Sequence, residues 1–213
     1  MSKRDYGQFC GLSRALELVG ERWALLIVRD LLVGPKRYTD LRQGLPRIPT
    51  NVLAARLKEL EDAQVIRRRA LPRPASGVVY ELTGYGAELE EVVLRLGRWG
   101  AQALGQPGPH DIVTVDSLIM ALRSTFRRDT ALGRDVSYEL RIGALVVHAS
   151  VRDGELAVGA GAANEPDLVI ECGPVLKALM AREITPEQAV ESGRVRIEGK
   201  PKLLARFVDM FRI

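Results

Sequence analysis

Apolar positions in the first hundred residues recur with helical spacing. Leu12, Leu16, Val19 and Trp23 fall on one stripe, and Leu26, Ile27 and Leu31 continue the apolar run until Gly34-Pro35 ends it. Gly20 interrupts this run, so the spacing fits either one long helix or two. A short helix is expected next, capped by Thr39 and carrying Leu41 and Leu45 up to Pro46. Pro46-Arg47-Ile48-Pro49 makes a tight connection. A further helix opens at Thr50 and buries Leu53, Leu57 and Leu60. Val65-Ile66 and Val78–Leu82 read as two strands joined by the Pro/Gly/Ser-bearing segment Leu71–Gly77. A last helix, from about Tyr85 to Leu104, carries Leu89, Val92, Val93, Leu96 and Trp99.

The breaker cluster Gly105-Gln106-Pro107-Gly108-Pro109 then stops both kinds of periodicity and predicts a boundary between domains 1–105 and 110–213. Beyond it, Val115–Phe126 reads as a helix. Val136–Val151 alternates as a strand pair or one long bent strand, and Asp153-Gly154 is a hairpin turn leading into Leu156–Gly161. Leu168–Ile170 and Arg194–Ile197 read as further strands, with helices at Pro174–Ala181, Pro186–Glu191 and Lys200–Phe211. The second half is therefore expected to be α+β, an antiparallel sheet with helices against one face.

Composition narrows the functional classes. The chain has 213 residues, 46% hydrophobic and 27% charged, which suits a globular protein with a real core and excludes a disordered or collagen-like chain. Two cysteines, Cys10 and Cys172, cannot build a zinc knuckle or a disulfide scaffold and suit a reduced, cytoplasmic setting. No apolar run approaches the ~20 residues of a membrane span, and no signal-type segment follows Met1, so no membrane association is expected. The two histidines, His110 and His148, offer almost no material for a metal site or a catalytic triad, and Gly159-Ala160-Gly161 is too short for a dinucleotide loop. Neither an enzyme nor a bound cofactor is expected.

Charge singles out one region. Residues 1–105 carry 17 Lys/Arg against 12 Asp/Glu, and residues 106–213 carry 14 against 15. Ten of the basic residues lie between Lys36 and Arg73, where only four acidic residues stand. A basic block on a folded domain suits a phosphate-binding surface, although a solvated face would look the same. Helix, helix, tight turn, helix and hairpin is also the order of a winged helix-turn-helix, whose second helix enters the major groove of double-stranded DNA. With Leu53, Leu57 and Leu60 facing inward, Asn51, Ala54, Ala55 and Lys58 point outward. Thr50 and Asn51 open the helix, as caps or where its amide groups favour a phosphate, and Asn51 can read adenine through its amide. Lys36, Arg37 and Tyr38 could clamp the backbone from the preceding turn, and Arg68 and Arg73 from the hairpin.

Several ordered motifs carry a family resemblance. Cys10–Leu16, Leu18–Trp23, Leu25–Leu31, Gly34–Tyr38 with Asp40-Leu41-Arg42, Asn51–Leu53, Leu57–Glu61 and Tyr80–Gly86 together resemble the HxlR-type transcription regulators over about residues 8–104. The resemblance implies a homodimer on near-palindromic operators, joined through first and last helices that here carry Leu16, Trp23, Leu96 and Trp99. It also places Cys10 where some members keep a redox or electrophile sensor. Arg14, with Lys3 and Arg4, would lower that thiol's pKa, unless it is a small residue buried at the dimer contact.

Residues 112–213, most of all Asp167–Glu171, Leu176–Met180, Ile184–Ala189 and Ser192–Gly199, resemble the sterol carrier protein type 2 fold. That implies a cavity for an apolar small molecule, fatty acyl, isoprenoid, sterol or polyketide-like. Its expected lining is Phe126, Leu140, Ile142, Leu176, Met180, Phe207, Met210 and Phe211, though apolar residues at such spacing also make plain core. The composite expectation is a ligand-modulated, DNA-binding regulator. The alternatives are a constitutive regulator with a structural second domain, and a lipid carrier whose first domain binds protein.

Overall fold

The computed structural model describes residues 5–105, 107–108 and 110–213. The chain divides into two compact units, Met1–Val93 and Leu94–Ile213. This division falls ahead of the breaker cluster at 105–109, of which Gln106 and Pro109 lie outside the described residues.

The first unit opens with helices α1 (Gly11–Val19) and α2 (Ala24–Val33). Two helices form because the chain turns at Gly20, whose N–H closes on the Leu16 carbonyl, and because Trp23 adopts a left-handed conformation at φ 80°. Helix α3 (Tyr38–Gly44) and helix α4 (Thr50–Asp62) follow. Helix α3 begins one residue before the expected cap Thr39. Its third residue, Asp40, reaches back to accept the Arg37 N–H at 2.8 Å, so the acidic side chain sets the start. Strands β1 (Ile66–Ala70) and β2 (Val78–Leu82) pair antiparallel, with Ile66 opposite Leu82. Ile27, Val28, Leu31, Leu41, Leu53, Leu57, Leu60, Val65 and Ile66 form one buried cluster under these elements. Burial of each such large side chain is worth about 1.5–3 kcal/mol.

The expected last helix is divided into α5 (Gly84–Ala87) and α6 (Leu89–Ala101), the latter running from the first unit into the second. The start of α5 has a local cause. The Thr83 hydroxyl donates to the Gln64 carbonyl at 2.6 Å and accepts the Gly86 N–H, pinning the exit from β2 onto the end of α4. A Cβ on Gly86 would stand 1.9 Å from the Val65 carbonyl oxygen, so this approach needs glycine.

The second unit contains α7 (Val115–Thr125), α8 (Arg128–Ala131), β3 (Asp135–Ile142), β4 (Leu145–Arg152), β5 (Glu155–Ala160), β6 (Leu168–Cys172), α9 (Val175–Met180), α10 (Pro186–Glu191), β7 (Val195–Gly199) and α11 (Lys202–Met210). These strands run in the order β5-β4-β3-β6-β7. The sheet is mixed, not antiparallel throughout as the alternation suggested: β3 and β6 are parallel, with Leu140 opposite Ile170. After the β3-β4-β5 meander the chain crosses to the free edge of β3 and enters β6 in the direction of β3. Strand periodicity reports facing and carries no information on direction. Asp153 and Gly154 both hold positive φ in the β4–β5 turn, as the Asp-Gly pair implied.

Candidate nucleic-acid interface

Helix α4 places its apolar stripe inward and its other face in solvent. Leu53, Leu57 and Leu60 are buried, Thr50, Asn51, Ala54 and Lys58 are exposed, and Ala55 is half-buried, as the helical spacing required. Pro49 stands at the N-cap, where no side-chain cap bond forms. The amide groups of the first turn are thus available to an acceptor from outside, at the positive end of the helix dipole.

Two contacts lock α3 and the hairpin to this helix. The half-buried Tyr38 donates its hydroxyl proton to the Thr50 carbonyl at 3.0 Å, which ties the first residue of α3 to the first residue of α4. Lys36 exchanges both backbone hydrogen bonds with Tyr80, N–H to carbonyl at 2.9 and 2.7 Å, adding a short third rung beside β1 and β2. Arg37 reaches the far end of the hairpin, its guanidinium donating to the Ser76 carbonyl at 2.8 Å. Lys36, Arg37 and Tyr38 therefore form a strap joining the helix pair to the wing.

The basic stretch is less open than its composition suggests. Arg67 and Arg69 both bind Glu81, at 2.8 and 2.7 Å, and Arg68 binds Glu61 at 2.8 Å. Lys58 pairs with Asp62 one turn away, and Arg56 is held by Glu21 and Glu59. The two arginines hold the Glu81 carboxyl below its ordinary range, chiefly through the Arg69 hydrogen bond. Arg42 and Arg73 are exposed and make no ion pair among the described residues. The sequence places Arg42 in a family motif but gives it no phosphate contact. Only its solvent face on α3, one turn after Tyr38, reveals it.

The predicted dimer residues separate. Leu16, Leu96 and Trp99 are exposed, Trp99 at 71%. Trp23 instead packs on the core of the first unit, with the Arg22 guanidinium 5.1 Å from its ring centroid. Its left-handed backbone turns it off the α1 stripe. Leu12 is 69% exposed, and Tyr6, Phe9 and Val92 are also open to solvent. Helical spacing marks two of these, since Leu12 lies one turn before Leu16 and Val92 one turn before Leu96.

Cys10 is exposed at the N-terminus of α1. Its pKa is lowered by the backbone N–H groups of Ser13 and Leu12 and then by the Ser13 hydroxyl. The expected cause, Arg14, is spent on Glu17 at 2.9 Å. Lys3 and Arg4 lie outside the described residues. Cys172 is the opposite case, buried in β6 with its thiol pushed up to about 12 by desolvation.

The expected ligand wall is mostly packed core. Phe207 stacks on Phe211 at 4.6 Å, Phe126 meets Phe211 at 5.5 Å, and Tyr138 stands edge-on to Phe207 at 5.3 Å. Leu140, Leu176, Met180, Phe207, Met210 and Phe211 are buried, while Ile142 is half-buried at the end of β3. Of the eight, Phe126 alone borders the open cleft beside Arg98 and Arg127.

A helix pair joined by a tight turn, with an open second helix and a hairpin strapped to it, defines a helix-turn-helix unit with a wing. Residues 18–107 match the HxlR-like helix-turn-helix family. The chain is 37% identical over 91 residues to the HTH-type transcriptional regulator YodB of Bacillus subtilis, covering 43% of this chain and 81% of that protein. It is 37% identical over 110 residues to the uncharacterized HTH-type transcriptional regulator Rv3095 of Mycobacterium tuberculosis, covering 51% of this chain and 68% of that one. A solved structure of YodB in its reduced form superposes with a TM-score of 0.40 at 34% identity, covering 47% of this chain and all of that one. The protein belongs to the HxlR-like helix-turn-helix family. The relatives it matches are transcription regulators, not enzymes. Among the described residues, no helix is long and apolar enough to cross a membrane.

Proposed function

We propose that the protein is a cytoplasmic, homodimeric, DNA-binding transcriptional regulator that reads a near-palindromic operator with α4. The observation that carries this reading is the open face of α4, with Thr50, Asn51, Ala54, Ala55 and Lys58 on a helix whose first turn is uncapped. Asn51 reads a base edge, and the amides beside Thr50 take a phosphate. Lys36, Arg37, Arg68 and Arg73 hold the backbone, and Arg73 and Arg42 have no internal partner among the described residues. Leu16, Leu96 and Trp99 join the two copies. The second unit, a mixed sheet with helices, is proposed to be sterol-carrier-like and to modulate DNA affinity by holding a small molecule. A coupling of about 1–3 kcal/mol would change that affinity 5- to 150-fold.

Hydroxyl-radical footprinting of the full chain on the DNA upstream of its own coding region tests the arrangement. Two protected patches about one helical turn apart are expected, ~34 Å centre to centre. A single patch would contradict the dimer, and uniform protection would contradict sequence reading.

A further inference from the structure

The second unit contains an open cleft of about 470 Å³ lined by Arg98, Phe126, Arg127, Arg128, Asp129 and Leu132. Its charge is incompletely balanced from within. Arg98 spends its guanidinium on two neutral acceptors, the Ser124 carbonyl at 2.5 Å and the Phe126 carbonyl at 3.2 Å. Arg127 makes no side-chain bond among the described residues, and its Nε is buried without a partner. Arg128 is engaged by Glu155 at 2.6 Å, and Asp129 is exposed. The unmatched charge is therefore concentrated on Arg98 and Arg127.

These two guanidiniums oppose one another. Burial disfavours the charged form of Arg98, and Arg127 and Arg95 add like-charge repulsion. A guanidinium does not release its proton in a protein, so the opposition persists until an anion enters. Beside the cations lies an apolar surface. Leu132 is exposed, and the Phe126 ring is backed by Phe211. The backbone beneath is fixed, since the Arg127 N–H donates to the Met210 carbonyl at 2.7 Å and Phe126 bridges Phe211.

We propose that this cleft binds a small organic anion with an apolar body, its carboxylate taken by Arg98 and Arg127 and its hydrocarbon laid on Phe126 and Leu132. Guanidinium suits this task because its planar fork matches a carboxylate with two parallel hydrogen bonds. The volume lies at the small end of ligand pockets, which run to about 300–1,000 Å³, so the ligand is a medium-chain or single-ring acid rather than a sterol. The site rests on the modulation reading above only in making the ligand an effector.

Isothermal titration of the full chain with decanoate, decanol and inorganic phosphate tests the site without DNA. Decanoate is expected to saturate one site per chain, with decanol and phosphate each at least about tenfold weaker, a step of ~1.4 kcal/mol. Arg127→Gln should weaken decanoate by a similar factor without lowering the unliganded melting temperature, because the side chain makes no bond among the described residues and its charge opposes Arg98. Leu132→Asp, at an exposed position, should do the same from the apolar side. The proposal is overturned if decanol or phosphate matches decanoate, if both variants bind decanoate as the parent does, or if no binding is seen up to about 1 mM. Since DNA affinity is not read, loss of this site leaves the operator reading standing, and failure of DNA binding leaves the titration interpretable.

Discussion

The Tyr38 hydroxyl and the Thr50 carbonyl are 3.0 Å apart, a single hydrogen bond that sets the start of α4 against the start of α3. Tyr38→Phe removes this bond and little else. The expected cost is about 0.5–1.5 kcal/mol of stability, read by urea denaturation. Operator affinity should fall further than stability alone explains, because the first turn of α4 loses its fixed placement. Unchanged operator affinity in a destabilised variant would show that the bond serves the fold only.

Asn51 and Arg73 separate reading from holding. Asn51→Ala is expected to cost about 1–3 kcal/mol on the operator and to relax the preference at one base pair. Arg73→Ala should weaken binding to all sequences alike and reduce the slope of log affinity against log salt by about 1. Titrations of each variant on operator and scrambled duplex distinguish the two patterns.

Glu81 gives the hairpin a pH dependence with a defined sign. Its carboxyl is held below the ordinary range by Arg69 and Arg67, so the folded state favours the ionised form. The stabilisation is complete above the ordinary carboxylate range and is lost as pH falls through the depressed folded value. Glu81→Gln should flatten the acid limb of the stability profile measured by thermal melting from neutral pH downwards. An acid limb of the same shape in the variant would assign it to other carboxylates.

Close packing predicts two expensive substitutions in separate units. Gly86→Ala drives a methyl group onto the Val65 carbonyl and should cost about 1–3 kcal/mol. Phe207→Ala leaves a hole beside Phe211 and Tyr138 and should cost about 3–5 kcal/mol. Denaturant midpoints check both values.

The two thiols should differ sharply towards iodoacetamide. Cys10 is exposed with its thiolate favoured by the Ser13 and Leu12 amides, whereas Cys172 is buried with its pKa pushed up to about 12. Neutral-pH labelling followed by peptide mapping should find Cys10 modified and Cys172 intact in the folded protein.

Helices α2 and α4 were legible because each buries an apolar face, whereas Leu12 and Leu16 of α1 lie in solvent. Leu53, Leu57 and Leu60 drew α4 to its first residue, and Gly34-Pro35 marked the end of α2. What escaped depends on contacts far apart in sequence. The Glu81 pairs that occupy Arg67 and Arg69 arise only when β1 and β2 align. The parallel β3–β6 pair depends on a crossover that alternation does not encode. For Phe126, Phe207 and Phe211 the sequence leaves ligand wall and plain core open, because a residue that fills a core and one that lines a cavity have the same periodicity. The Arg98–Arg127 cleft combines side chains from α6 and from the turn after α7, which no linear motif joins.

The most direct test of the account is fluorescence anisotropy of the full chain on the DNA upstream of its own coding region and on a scrambled duplex, each at two salt concentrations. A specificity ratio of about 10³ or more, retained at the higher salt, is the predicted result. Equal affinities for the two duplexes that fall together as salt rises would reduce the interaction to phosphate attraction and contradict operator recognition by α4.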